Sequence, residues 1–277
     1  MKYAGFADEV SLDIDKQIEA TKASGFDGIE MRMVGEKLHF DDAEEYEFQK
    51  IREKISEAGL EIPSYGSQIA NWSRKITDDI SKDKDELLRI IPRMHETNTG
   101  IVRIMSYPND GLSDSDWRDE VVNRLKELSK IAEDGGIILA HENCNGWGGE
   151  SPENSIEMIE RVGSRALKLI FDTGNTVQHF QDSLDFFKKV KEHVIHLHVK
   201  DFKNTPEGHK ACFPGEGEGS VPEVISILKK DGFKGWISIE PHIAAVAHEG
   251  KNADDEKESR DIYIKYANMT RKIYESA

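Results

Sequence analysis

Apolar and polar positions follow a recurring unit along this chain: an amphipathic stretch ends in a small residue and glycine, then a short apolar run closes on polar residues. Its instances are KASGFDGIEMR, SEAGLEIPSYGS, TNTGIVRIMSY, EDGGIILAHEN and KDGFKGWISIEPH. Glycine just past a helix takes the left-handed conformation that other residues resist, so each instance predicts a helix end leading into a strand. Helical periodicity precedes most of them, as in Val121, Val122, Leu125, Leu128 and Ile131, which share one face. With Lys2–Phe6, Leu167–Phe171 and Val194–Val199 added, eight strands alternate with helices. That alternation predicts a closed parallel (β/α)8 barrel, the TIM-barrel architecture, with an open doubly wound sheet as the runner-up. The runner-up is weakened because AGFADE, not Gly-x-Gly-x-x-Gly, follows the first strand. Such barrels need about 250 residues as one unit, so residues 1–277 are expected to form a single domain. The segment Ala244–Glu258 reads as a loop before a last helix, Arg260–Ser276.

Charge narrows the partners. The formal net charge is −16, with 32% charged residues. So acidic a surface repels phosphate backbones and anionic lipid headgroups, which argues against nucleic acid and membrane partners. No run approaches the ~18 apolar residues of a membrane span. Met1–Val10 enters a strand pattern carrying Asp8 and Glu9, so no secretory leader is expected. Two cysteines, Cys144 and Cys212, are too few for a disulfide framework, and a cytoplasmic location is the expectation.

In a barrel of this kind catalytic residues come from the C-terminal ends of strands, and alternate side chains point inward. In HVIHLHVKD, Val194, His196, His198 and Lys200 share one face; Ile195, Leu197 and Val199 share the other. The apolar face must pack on helices, so both histidines and the lysine are expected in the barrel mouth. Glu142 closes IILAHE, Asp172 closes LKLIFD and Glu240 closes WISIE. An unpaired carboxylate is costly to bury at such a place, and a shared cation removes the penalty. Three carboxylates and one imidazole make a hard, mostly oxygen site suited to one Mn2+ or Mg2+ ion, with Co2+ or Zn2+ as further candidates.

Other polar residues surround these strand ends. Glu30 and Arg32 end the second strand on one face, as an ion pair or as substrate contacts. His242 follows Glu240 in EPH as a substrate contact or a surface histidine. Trp72 and Trp147, in post-strand loops, either stack on a sugar ring or pack under a loop. Cys144 reads as a small strand-end filler. The segment PGEGEG has the glycines of an anion cradle, but its two glutamates argue instead for a loop that orders over the substrate.

ENCNGWGG, IFDTGN, HLHVKD, PGEGEG and SIEPH, in that order, resemble the xylose isomerase-like barrel superfamily. Its members include tagatose and psicose epimerases, hydroxypyruvate isomerase, inosose dehydratase and the DNA-repair endonuclease IV. The similarity runs from FADEV near Ala7 to the last helix. In the ketose epimerases the four matching positions bind one metal and two glutamates exchange the proton. The resemblance thus implies Glu142 and Glu240 as ligands and acid/base pair, with Asp172 and His198 as ligands only. It also implies a polarised carbonyl, an enediolate, and a carboxylate on either face to take or return the proton. Lys200 and Arg103 match the members' basic or hydrogen-bonding substrate contacts, an ion pair being the competing role for Arg103; His196 joins them from its inward face. Ketose epimerases usually carry a substrate-binding histidine three residues after the aspartate, where this chain has Asn175. Endonuclease IV holds three zinc ions partly through that histidine and an Asp-x-His segment, and PGEGEGSVPE has neither Asp nor His.

The expected function is a divalent-metal-dependent isomerase or epimerase of an unphosphorylated sugar or keto-sugar. A lyase or dehydratase of the inosose dehydratase or keto-glycoside type is the alternative, since both begin with proton removal beside a carbonyl. A non-catalytic sugar-binding protein is a third reading, weakened by the complete set of four donors. The expected partner is a small sugar or polyol, and a homo-oligomer is left open because superfamily members are often dimers or tetramers.

Overall fold

Seven of the expected strands pair in parallel around the inside of the molecule, as their apolar outer faces and polar C-terminal ends require. The computed structural model describes residues 1–35, 38–244 and 256–277, with the backbone alone at Leu38. The strands are β1 (Lys2–Gly5), β2 (Ser64–Gly66), β3 (Ile101–Ser106), β4 (Ile138–Gly146), β5 (Leu167–Asp172), β6 (Val194–Val199) and β7 (Trp236–Ile239). Their spatial order is β1-β7-β6-β5-β4-β3-β2, every neighbour parallel.

The second expected strand closes the gap between β1 and β2 without forming a regular ladder. Gly28 and Glu30 donate their N–H groups to Tyr3 and Gly5 at 3.2 and 3.1 Å, while Ile29 and Met31 donate to Glu61 and Ser64 at 2.9 and 3.3 Å. Pairing toward β2 is limited to isolated bridges, Gly28 with Glu61 and Met31 with Tyr65. Pro63 lies between those bridges and has no N–H to give a ladder, which accounts for the interruption. The result is the TIM-barrel architecture expected from the alternating pattern.

The helices jacketing the barrel are α1 (Ile14–Ala23), α2 (Glu45–Glu57), α3 (Ser81–Glu96), α4 (Asp114–Gly135), α5 (Pro152–Val162), α6 (Thr173–Gln178), α7 (Ser183–Val190), α8 (Val221–Lys230) and α9 (Glu256–Ser276). Asp13, Ser113, Ser151 and Asp182 cap α1, α4, α5 and α7 by accepting N–H groups of the first turn. Gly25, Gly59, Gly136 and Gly232 take the left-handed conformation where the repeated unit predicts it. In TNTG the left-handed residue is Asn98 rather than Gly100, because asparagine is the other residue that tolerates this region. The last helix begins at Glu256, so Glu256–Glu258 are helical rather than loop; residues 245–255 of the expected loop lie outside the described residues.

Leu139, Leu197, Val199, Ile237 and Ile239 are fully buried in the apolar layer, each contributing roughly 1.5–3 kcal/mol relative to exposure. Their burial forces the alternate residues of the same strands inward. Among the described residues no helix is long and apolar enough to cross a membrane.

Candidate metal centre

Four adjacent strands bring the expected donors together. β4, β5, β6 and β7 are consecutive neighbours and deliver Glu142, Asp172, His198 and, one residue past β7, Glu240. One ligand atom from each lies within 4.8 Å of all the others, and all four residues are buried. Glu142 and Glu240 stand at the two ends of this run, three strands apart.

Each donor is held by a neighbour. Arg103 on β3 donates to Glu142 Oε2 at 3.4 Å and to the Ser67 carbonyl at 3.2 Å. Asp172 caps α6, its Oδ1 accepting the N–H groups of Gly174 and Asn175, both at 2.8 Å, while Asn143 clamps its backbone. Glu240 Oε1 is gripped by Arg32, which pairs bidentately with Asp8 at 2.8 and 2.9 Å. His198 meets Glu142 Oε1 through Nδ1 at 2.8 Å and Glu30 Oε1 through Nε2 at 3.2 Å.

The electrostatics follow from this crowding. Burial opposes ionisation of Glu142, but Arg103 and His198 override it and hold the carboxyl at about 2. Burial likewise opposes ionisation of Glu240, which Lys200, His242 and Arg32 hold well below the usual carboxylate range. Asp172 goes the other way: burial, with repulsion from Glu142 and Glu240, outweighs Lys200 and pushes it up to about 6. Burial disfavours the His198 cation, but Glu30 and Glu142 prevail and raise it to about 10. Within the chain, the His198 ring and the Lys200 ammonium both face these carboxylates. Lys200 Nζ lies 2.9 Å from Glu240 Oε2 and 3.2 Å from Asp172 Oδ2.

The donor set fits a hard divalent cation. Asp172 Oδ2 accepts no well-aligned hydrogen bond among the described residues and faces only the Lys200 ammonium at 3.2 Å, which leaves a fully buried carboxylate oxygen open to a cation. Three carboxylate oxygens and one imidazole nitrogen match the preference of Mn2+ or Mg2+ for oxygen-rich coordination.

The remaining candidates take distinct places. Lys200 and Arg103 ion-pair with the donors themselves. His196 sits two residues deeper on β6, its Nε2 shared by Glu30 Oε2 and Ser238 Oγ, each at 3.1 Å. His242 adopts φ 52°, rare for a non-glycine residue, and its Nε2 lies 3.2 Å from Glu240 Oε1 and 3.4 Å from Glu9 Oε1. Asn175 is buried on α6, and its Nδ2 makes no hydrogen bond among the described residues. Trp147 is buried in the turn Trp147–Gly149, its carbonyl accepting from Asn154, and it shares no hydrogen bond with the four donors. Glu30 and Arg32 do not pair with each other: Glu30 turns to the two histidines, Arg32 to Asp8 and Glu240.

Asp8, Glu9 and Glu30 complete the polar interior, yet only their position just after or within an apolar run marks them in the sequence. Asp201 is equally inconspicuous. Its carboxylate accepts N–H groups from Phe202, Gly215, Gly217 and Gly219 at 2.8–3.0 Å. A Cβ on Gly217 would lie 2.3 Å from Asp201 Oδ1, so glycine is required there. The anion in the glycine-rich loop is therefore the chain's own aspartate, which occupies the amides a phosphate would need.

Fold and site together define a parallel α/β barrel with a candidate metal centre at the C-terminal ends of its strands. The chain belongs to the xylose isomerase-like TIM barrel family, whose model matches residues 18–265. An uncharacterized protein of Methanocaldococcus jannaschii is 31% identical over 157 residues, 55% of this chain and 50% of the relative. Inosose dehydratase of Bacillus cereus is 20% identical over 58% of this chain and 59% of its own length. The chain thus spans little more than half the length of these relatives. D-psicose 3-epimerase of Enterocloster bolteae is 23% identical over 87% of this chain and 81% of the relative.

Among solved structures, D-psicose 3-epimerase of Clostridium cellulolyticum H10 with D-tagatose superposes with a TM-score of 0.76 at 16% identity, covering 99% of both chains. The probable 3-DHS dehydratase of Bacillus anthracis gives 0.74 at 16% identity, covering 98% of this chain and 99% of its own. A xylose isomerase-like barrel of Mycobacterium smegmatis in complex with magnesium gives 0.71 at 16% identity, covering 99% and 97%. At these identities the likeness to solved structures is one of fold.

Proposed function

We propose that this chain is a divalent-metal-dependent isomerase or epimerase of an unphosphorylated sugar or keto-sugar. The carrying observation is the convergence of Glu142 and Glu240 from strands three apart on one buried donor set. Glu142, Asp172, His198 and Glu240 would hold the ion, which supplies positive charge beside a substrate carbonyl and its neighbouring hydroxyl. Carboxylates at opposite ends of the set can serve the two faces of the adjacent carbon, one removing a proton and the other returning it. The substrate intermediate between those transfers is an enediolate.

The interior cations favour a neutral substrate. Arg32, Arg103 and Lys200 are each engaged by carboxylates, and the glycine-rich loop is filled by Asp201, which leaves a phosphate no evident anchor among the described residues. Asn175, with its unbonded amide nitrogen, and His242, beside Glu240, are the proposed hydroxyl contacts. His196, Lys200, Arg103 and Trp147 are further proposed substrate contacts at the same barrel mouth, His196 from below. A single catalytic barrel over residues 1–277, free of nucleic acid, is part of the reading.

A dehydratase or other carbon–oxygen lyase is the second reading. Its support is the Lys200 ammonium against Glu240, a cation placed beside the proposed base where it could offset charge developing on a β-leaving oxygen. Metal-stripped protein reconstituted with Mn2+ or Mg2+ would be offered keto-sugars in deuterated water and followed by NMR. Exchange of the α-proton with mass otherwise retained supports the isomerase; loss of water or aglycone supports the lyase. Full activity in the chelator-treated protein would refute both.

A further inference from the structure

Among the described residues Glu30 is the carboxylate that touches two imidazoles, through Oε1 to His198 Nε2 and Oε2 to His196 Nε2 at 3.2 and 3.1 Å. Neither oxygen has an arginine or lysine partner there, so the two imidazoles alone face its buried charge. Glu30, His196 and His198 have the proximity of a second three-donor set. That set shares His198 with the first, on opposite ring nitrogens. One imidazole can ligate two cations at once only by losing both ring protons. A hydrogen-bonding role for Glu30 requires no such loss.

The imidazole needs such a partner. Phe6 packs edge-on against the His198 ring, centroids 5.2 Å apart at 74°, and restricts its tilt. Packing cannot tell a histidine from its copy flipped by 180° about the ring axis, because the two fill nearly the same volume. A hydrogen bond to one nitrogen can. Metal-ligating histidines characteristically donate their second N–H to a carboxylate, carbonyl or water, which fixes ring and tautomer.

We propose that Glu30 is the positioning residue of the centre. It grips Nε2 of His198 so that Nδ1 is the nitrogen turned toward Glu142 and a bound divalent ion, while His196, anchored on Ser238 Oγ, holds Glu30 in place. This rests on the reading of Glu142, Asp172, His198 and Glu240 as a metal centre. Glu30 acts through His198 and does not touch the substrate.

The test titrates metal-stripped wild type and Glu30→Gln with Co2+, by calorimetry and by the visible ligand-field spectrum, without substrate. The expected result is a Co2+ Kd raised roughly 10- to 100-fold with an altered spectrum and an unchanged far-ultraviolet dichroism. A Kd and spectrum matching wild type overturn the inference. Should the glutamine variant fail to fold, Glu30→Asp draws the carboxylate back by roughly 1.5 Å while keeping its charge. Weakened Co2+ binding in that variant supports the inference, and wild-type binding overturns it. If wild type itself binds no Co2+, the metal-centre reading fails and this inference with it. Normal wild-type binding with unaffected Glu30 variants overturns the inference alone.

Discussion

The Lys200 ammonium and the Glu240 carboxylate meet inside the barrel at 2.9 Å, from adjacent strands, with Asp172 Oδ2 3.2 Å from the same nitrogen. Burial works against the Lys200 cation, yet Asp172, Glu240 and Glu142 raise its pKa above the usual lysine range. Lys200 thus offsets charge that a divalent ion would offset more completely. Lys200→Met should destabilise the metal-free protein by roughly 3–5 kcal/mol, because one partner of a buried pair is removed and the other is stranded. Saturating Mn2+ should recover more stability in the variant than it adds to wild type, since an ion that binds only the folded state stabilises it by mass action. Thermal melts of both proteins with and without Mn2+ check this, and an equal Mn2+ increment in the two would contradict it.

Asp201 and the glycine-rich loop offer an independent structural test. Asp201→Ala leaves the N–H groups of Phe202, Gly215, Gly217 and Gly219 without their acceptor. Donors left without partners are costly where they are buried, as at Phe202 and Gly219, so the loop should open locally rather than keep its present form. Hydrogen exchange at the three glycine amides should accelerate while amides of the barrel strands stay protected. Unchanged protection at Gly217 would show that the loop is held by something else.

Buried histidines set opposite limbs of the pH profile. His141 is fully buried, with Nε2 3.0 Å from Ser106 Oγ, and burial pushes it down to about 4 although Glu142 opposes the shift. Being neutral when folded and protonated when unfolded, it makes stability rise with pH between about 4 and the ordinary ~6.5. Its contribution is complete above ~6.5 and is lost on acidification at roughly 1.4 kcal/mol per pH unit. His198, raised to about 10 in the metal-free chain, has the reverse sign: its contribution is complete below ~6.5 and lost as pH rises through 10. Denaturant melts at pH 5 and 7 should show a smaller difference for His141→Gln than for wild type, and equal differences would refute the assignment.

The barrel was legible because its signals are local. Glycine-marked helix ends, apolar runs and acids at their ends need no knowledge of the partner strand, and Glu142, Asp172 and Glu240 could be picked from them. Partner choice was not local. Glu30 and Arg32 share a segment and opposite charge, so their pairing was plausible, yet their real partners, His196 and His198 for one and Asp8 and Glu240 for the other, arrive from β6 and from the segments just past β1 and β7, which only barrel closure brings near. The glycine-rich loop was ambiguous for the same reason. Its amides could face any anion until the fold placed Asp201 beneath them.

Glu142 and Glu240 give the most direct test of catalysis against mere metal binding. Substituting either by glutamine keeps an oxygen donor and removes the proton acceptor. Metal content should fall modestly, while turnover drops by roughly 10²-fold or more, the scale for loss of a positioned acid/base group. Their surroundings also differ: Glu142 is held by Arg103 and His198, Glu240 by Arg32 and Lys200. If the two act in sequence, only the residue that first abstracts the substrate's α-proton is needed for its exchange with solvent. One variant should therefore lose both exchange and turnover, and the other should keep exchange while product formation fails. Near wild-type turnover in both glutamine variants with metal bound would leave the glutamates as ligands alone. Proton transfer would then fall to another interior group, with His196 and Lys200 the first to substitute.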